Sequence, residues 1–182
     1  MPFKFKTYSP EELETCGRLL RENLLENAAD NATWKTPAWT LAVKSWFHGA
    51  LADGAECYGQ PYTSEYKFDQ CHTATEGFTF AKPGTLLLVL ESEWGAELNR
   101  WQPIEKGRDL IMEDAQKIAC ERAVAKVMVF GSNGTEDQNW ILQRLSELRN
   151  ANSDGAPWLW FDVSWKYSGL DHQIRYGLFA AT

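Results

Sequence analysis

The sequence predicts an α/β fold, a mixed central β-sheet flanked by helices, on three observations. An unbroken aliphatic run, Leu86 to Leu90, lies between Pro83-Gly84 and Gly95 and reads as a strand buried on both faces. Segments of helical periodicity with start signals lie before and after it. The connection from Ala74 to Thr85 is short and carries Glu76-Gly77 and Pro83-Gly84, which favours antiparallel neighbours, whereas the later helical segments have the length of crossovers.

Each element has its own reason. Ser9-Pro10-Glu11-Glu12 opens the first helix with a capping serine, a proline at the first helical position and a glutamate three residues after the cap. Leu13, Cys16, Leu20 and Leu24 form its apolar stripe, and Glu22 and Glu26 lie one turn apart on a more polar face. A second helix starts at Thr36-Pro37, carries Trp39, Val43, Trp46, Phe47 and Ala50, and ends near Asp53-Gly54. The segment between them, ENAADNATWK, is a connecting loop. Ser64 to Ala74 reads as a strand in which Tyr66, Phe68 and Gln70 alternate with Glu65, Lys67, Asp69 and Cys71. The aliphatic strand TLLLVLESEW follows, then a polar loop from Asn99 to Arg108.

The next helix spans about Asp109 to Val124, with Ile111, Ala115, Ile118 and Ala119 inward and Asp114, Lys117 and Glu121 on another stripe. Lys126 to Phe130 (KVMVF) is the buried strand that ends a crossover. Thr135-Glu136-Asp137-Gln138 caps a helix carrying Trp140, Ile141, Leu145 and Leu148. The last strands are Pro157 to Lys166, with Leu159, Phe161, Val163 and Trp165 on one face, and His172 to Ala180. No internal repeat or low-complexity tract interrupts this order.

The chain has 182 residues, which fits a single domain over 1–182 with a sizeable core. Its net charge of −7 argues against broad, charge-driven nucleic-acid binding but leaves room for a local basic cleft. No 18-residue apolar run exists and the N-terminus lacks a signal-peptide core, so the expectation is a soluble cytoplasmic protein with no membrane partner. Cys16, Cys57, Cys71 and Cys120 are scattered without a CxxC pair and read as buried thiols. Of nine tryptophans, Trp94, Trp158, Trp160 and Trp165 fall on strands, where their rings fill a core or line a cleft.

The chemistry gathers at the end of the aliphatic strand. Side chains alternate along a strand, so Glu91 and Glu93 emerge on one face, continuing the row of Leu87 and Val89, about 7 Å apart at ~3.4 Å per residue. If the strand bearing Asp69 lies beside them, three carboxylates crowd one sheet face. Such a cluster either holds a divalent cation or raises its own pKa values. Magnesium suits it, because magnesium accepts one or two carboxylates and completes its shell with water and substrate phosphate. The plainer readings are a solvated strand end for Glu91 and Glu93, an exposed strand position for Asp69, and a solvated helix face for Lys117 with Asp114 and Glu121.

His48 packs or caps on its helix, His72 beside Cys71 invites a metal reading without further ligands at suitable spacing, and His172 begins a strand with no evident partner. Gly131-Ser132-Asn133-Gly134 lacks the Gly-Lys-Ser/Thr of a phosphate loop and reads as a tight turn. No nucleophile elbow is present.

Helix, strand with an acid, strand ending in acid-x-acid, helix, strand: over roughly Ser9 to Phe130 this order resembles the core of the PD-(D/E)xK nuclease-like (restriction-endonuclease-like) superfamily. Asp69 stands for the first acid, Glu91 for the second, and Glu93 occupies the place usually held by lysine. The resemblance implies a restriction-endonuclease-like αβ sandwich and hydrolysis of a DNA or RNA phosphodiester with Mg²⁺ or Mn²⁺. Asp69 and Glu91 would bind the metal, and Glu93 and Lys117 would be catalytic. Lys117 matches the members that supply the lysine from the following helix, and Lys67 is a second candidate. Glu22 or Glu26 would add the extra acid some members use, and Phe68 replaces the usual proline.

The alternative expectation is a catalytically inactive descendant acting as a protein-interaction or regulatory subunit, as a homo-oligomer or with a protein partner. Net charge, the missing motif lysine and the tryptophan-rich strands favour it.

Overall fold

The computed structural model describes residues 3–26, 36–59, 68–94, 104–152, 154–164 and 174–179. Their elements are α1 (Pro10–Glu26), α2 (Thr36–Gly49), β1 (Ala55–Tyr58), β2 (Gln70–Ala74), β3 (Leu86–Glu93), α3 (Ile104–Ala119), β4 (Ala125–Ser132), α4 (Thr135–Ala151), β5 (Trp158–Ser164) and β6 (Ile174–Phe179). The strands form one six-stranded sheet in sequence order. β1, β2 and β3 run antiparallel, β3, β4 and β5 run parallel, and β6 returns antiparallel. The fold is an α/β sandwich with a mixed sheet.

Two cores follow from strand alternation. On one face α1 and α2 bury Leu13, Leu20, Trp39 and Phe47 against Leu90, Val127 and Phe161. On the other, α3 and α4 bury Ile111, Ile118, Ile141 and Leu145 against Val89, Met128, Phe130 and Trp158. Each such leucine or isoleucine contributes roughly 1.5–3 kcal/mol when taken out of water. α1 begins where the sequence predicts. Its capping serine accepts the Glu12 N–H at 3.3 Å, and the Glu12 carboxylate reaches back to the Tyr8 N–H at 2.7 Å.

Several expectations are corrected. α3 starts at Ile104, just after Pro103, and ends at Ala119, so the loop expected over Asn99–Arg108 is helical from 104 and the expected end at Val124 lies beyond the helix. α4 is capped by Gly134 and not by Thr135. β1 had no signal, being four residues long with intermediate and exposed positions alternating. The pairing of β2 with β3 shifts between His72 and Thr73, where Leu87 is skipped. This bulge sends Leu87 into the α1/α2 core beside Leu88, so the row on the opposite face holds Val89, Glu91 and Glu93 without Leu87.

Cys16 and Cys71 are buried free thiols, as expected, but Cys57 is half-buried and Cys120 exposed. Residues 64–67 of the strand expected from Ser64, and with them Lys67, lie outside the described residues, as do Trp165 and His172. No helix among the described residues is long and apolar enough to cross a membrane.

Candidate active site

Alternation and topology bring the acids together. β3 delivers Glu91 to the α3/α4 face, and Asp69, immediately before β2, lies beside it because β2 is the antiparallel neighbour. The Asp69 N–H donates to Glu91 Oε2 at 3.3 Å. Asp69 Oδ2 accepts the Ser92 N–H at 2.8 Å and also the Ser92 hydroxyl. Behind Asp69, Gly59 has φ +73°, and a Cβ there would stand 2.3 Å from the Asp69 carbonyl oxygen. Only a glycine lets the end of β1 brace the acid that closely.

Lys117 comes from α3. Its Nζ is bonded to Asp114 one turn earlier and stands 3.9 Å from Glu91 Oε1. The Glu91 side chain is only 5 % exposed, and its Oε1 has no hydrogen-bond partner. Burial, reinforced by the negative charges of Asp114 and Asp69, pushes the Glu91 carboxyl up to about 8, while Lys117 and the Asp69 N–H pull the other way. A buried acceptor left unpaired beside two other carboxylates is a costly arrangement for a fold to keep.

Asp69, Glu91 and Lys117 therefore meet, with Asp114 as an acid whose site role the helix-face reading concealed. Glu93 is half-buried one step further along the same strand row, level with Phe130. Glu22 and Glu26 do not join. They are exposed on α1, which crosses the other face so closely to β5 and β6 that a Cβ at Gly17 would meet Tyr176 at 2.7 Å. His48 is exposed on the last turn of α2, so of the packed or capping role expected the packed one is excluded. His72 is buried on the α1/α2 side, bonded through Nδ1 to the Tyr8 hydroxyl at 2.9 Å, and its neighbour Cys71 faces the other core. Burial, with a smaller push from His48, holds His72 down to about 3, so it is neutral.

The residues suit a divalent cation held by two carboxylates, because Glu91 Oε1 is a buried acceptor with no hydrogen bond among the described residues. They do not make a closed cage. Among the described residues no three His, Cys, Asp or Glu are spaced to enclose an ion, so water and a substrate phosphate would fill the shell. A cavity of about 510 Å³ lies elsewhere, at the amino ends of β4 and β5, lined by Ala119, Cys120, Arg122, Asn152 and Asp154. Beside it Lys126 is wholly buried, with its ammonium 2.8 Å from Asp154 and 3.3 Å from the Ala119 carbonyl. That lysine is satisfied within the fold, so the acid cluster is the candidate site on its chemistry and not on hollowness.

A second polar cluster escaped the sequence reading. Asp162 on β5 accepts the Ser132 N–H at 3.1 Å, the Ser132 hydroxyl at 2.9 Å and the Gln138 amide at 2.7 Å. Burial pushes its carboxyl up to about 7 against those donors. Gln138 in turn accepts from Arg175 at 2.6 Å. A polar residue interrupting PWLWFDVSWK was the available signal.

In comparisons with known proteins, the chain matches no family model, no curated protein and no solved structure.

Proposed function

We propose that this protein is a metal-dependent phosphodiester hydrolase of nuclease-like type, with the cluster of Asp69, Glu91, Glu93 and Lys117 as its centre. The observation that carries the reading is the buried Glu91 carboxylate at the carboxyl end of a parallel strand, with Oε2 taking the Asp69 N–H and Oε1 without a hydrogen bond among the described residues, 3.9 Å from the Lys117 ammonium. Ligand sites of open α/β sheets lie outside such strand ends. The order of α1, β2 with Asp69 immediately before it, β3, α3 and β4 supports the resemblance to the PD-(D/E)xK superfamily.

Asp69 and Glu91 would hold Mg²⁺ or Mn²⁺, which supplies a polarised phosphoryl oxygen and a more acidic water when bound. The chain's own groups do the rest. Glu91 must lose its proton to act as a ligand, which its pKa of about 8 opposes until positive charge arrives. Lys117, half exposed and anchored by Asp114, faces the cluster with an ammonium that donates to a non-bridging phosphate oxygen and offsets its charge. Asp114 is a positioning residue. Hydrolysis of DNA or RNA with Mg²⁺ or Mn²⁺ tests this, and activity that survives Asp69→Ala or Glu91→Ala overturns it.

One observation favours the inactive reading. Asp69 Oδ2 is already engaged by both donors of Ser92, so part of the first acid serves the fold. On the tryptophan-rich C-terminal strands put forward for a protein interface, Trp158 is buried in the core and Trp160 is half-buried, while Trp165 lies outside the described residues. A sharp oligomer in solution with no cation-dependent rise in melting temperature would select that reading.

A further inference from the structure

The sheet face that carries Glu91 and Glu93 continues across β4 to β5. Register sets Glu93 level with Phe130, Phe130 level with Asp162, and Asp162 level with Arg175. Glu93 and Asp162 are therefore two strands apart, about 10 Å at ~4.8 Å per strand. At that distance the hydrogen-bonding balance reverses.

The acceptors at this second corner are occupied. Asp162 takes three donors, Asp137 takes Arg108 Nε at 2.6 Å and the Asn133 N–H at 2.8 Å, and Gln138 takes Arg175. Donors remain. Arg108 uses Nε on Asp137, and no described residue takes its Nη groups, while its guanidinium carbon lies over the Trp140 ring, 4.7 Å from the centroid. Ser164 is 4 % exposed, level with Ser132 and on the same face as Asp162, and its hydroxyl has no hydrogen-bond partner. α4 starts beside Asp162, with Gly134 as its cap and no side-chain cap bond, so no cap side chain takes the N–H groups of its first turn.

We propose that Ser164, Arg108 and the first turn of α4 form an anion site that holds a phosphate of the phosphodiester substrate at least two linkages along the strand from the one at the acid cluster. A corner with spent acceptors and spare donors complements a group that only accepts, and a phosphodiester oxygen is such a group. Ser164 lies two residues beyond Asp162, and Glu91 two residues before Glu93, so the acid cluster and the anion site are about 16 Å apart by strand spacing and rise. Neighbouring phosphates, joined by six bonds, cannot span that, so the strand between the sites contributes more than one linkage. The assignment of substrate rests on the hydrolase reading, but the anion site itself does not.

The test separates the two. A short single-stranded oligonucleotide, as DNA and as RNA, and inorganic phosphate are titrated calorimetrically into the full chain with a chelator present, so that no cation serves the acid cluster. The expected result is oligonucleotide binding that weakens about tenfold in Arg108→Gln and loses about one unit of its salt slope. In Ser164→Ala the expected loss is about threefold to tenfold, with a melting temperature equal to or above the parent's, because the substitution removes an unpaired buried hydroxyl. This second variant keeps the test valid if Arg108→Gln fails to fold.

Binding of neither the oligonucleotide nor phosphate under chelation overturns the site, as does parent-like binding by Ser164→Ala together with whichever Arg108 variant folds. Phosphate binding without oligonucleotide binding overturns its assignment to the substrate chain. Binding with no cleavage in Mg²⁺ or Mn²⁺ leaves the anion site standing and removes the hydrolase reading.

Discussion

Two buried carboxylates end neighbouring parallel strand systems on one sheet face, and they are kept in opposite ways. Glu91 has an oxygen with no hydrogen bond and two further acids beside it. Asp162 has a donor or two for each oxygen, all from within the fold. Both titrate high because both are buried, so a raised pKa alone does not separate them. Satisfaction does. The unsatisfied acid is maintained at a cost that a cation would relieve, and the satisfied one fastens β4, β5 and α4 together.

The largest effect that would test this contrast is on turnover. Asp69→Ala and Glu91→Ala should each lower Mg²⁺-dependent phosphodiester hydrolysis by about a hundredfold to a thousandfold in a steady-state assay, whereas Asp162→Asn should leave chemistry measurable. The next is on stability. Asp162→Ala strands the Ser132 N–H and the Gln138 amide, which should cost about 3 kcal/mol and lower Tm by roughly 6–12 °C in a thermal melt. Glu91→Gln should cost little or nothing. Equal losses from the two substitutions would end the distinction.

A pH series sharpens it. Glu91 is raised from 4.5 to about 8, so the folded protein binds the extra proton between those values and loses stability as pH rises through them. Glu91→Gln lacks that slope. Its Tm should match the parent's near pH 4 and exceed it at pH 9, and Mn²⁺ should restore the parent but not the variant. The smallest effect belongs to Lys117→Ala. Its ion pairs are half exposed, so stability should change by under about 1 kcal/mol, while the Glu91 titration followed by NMR moves further up.

Much of the architecture was legible because it rests on local signals. Ser9, Pro10 and Glu12 announce α1, and the run from Leu86 to Leu90 announces a buried strand. The proximity of Asp69 to Glu91 followed from pairing two strands across a short connection. What escaped depends on contacts distant in sequence. Asp162 reads as a break in an apolar strand until Ser132 and Gln138 are seen around it. Asp114 looks like half of a helix-face ion pair until Glu91 is placed across from Lys117. The bulge that displaces Leu87 has no local mark, since every residue near it is leucine or valine.

Gly59 carries a consequence for how such a protein varies. It has no side chain to offer any ligand, yet its backbone is pressed against the Asp69 carbonyl. Any side chain there must displace the first acid of the cluster. A random mutagenesis screen for lost function should therefore recover position 59 alongside the acids themselves. Such hits would fold and keep every chemically active group, failing only because one group is an ångström out of place.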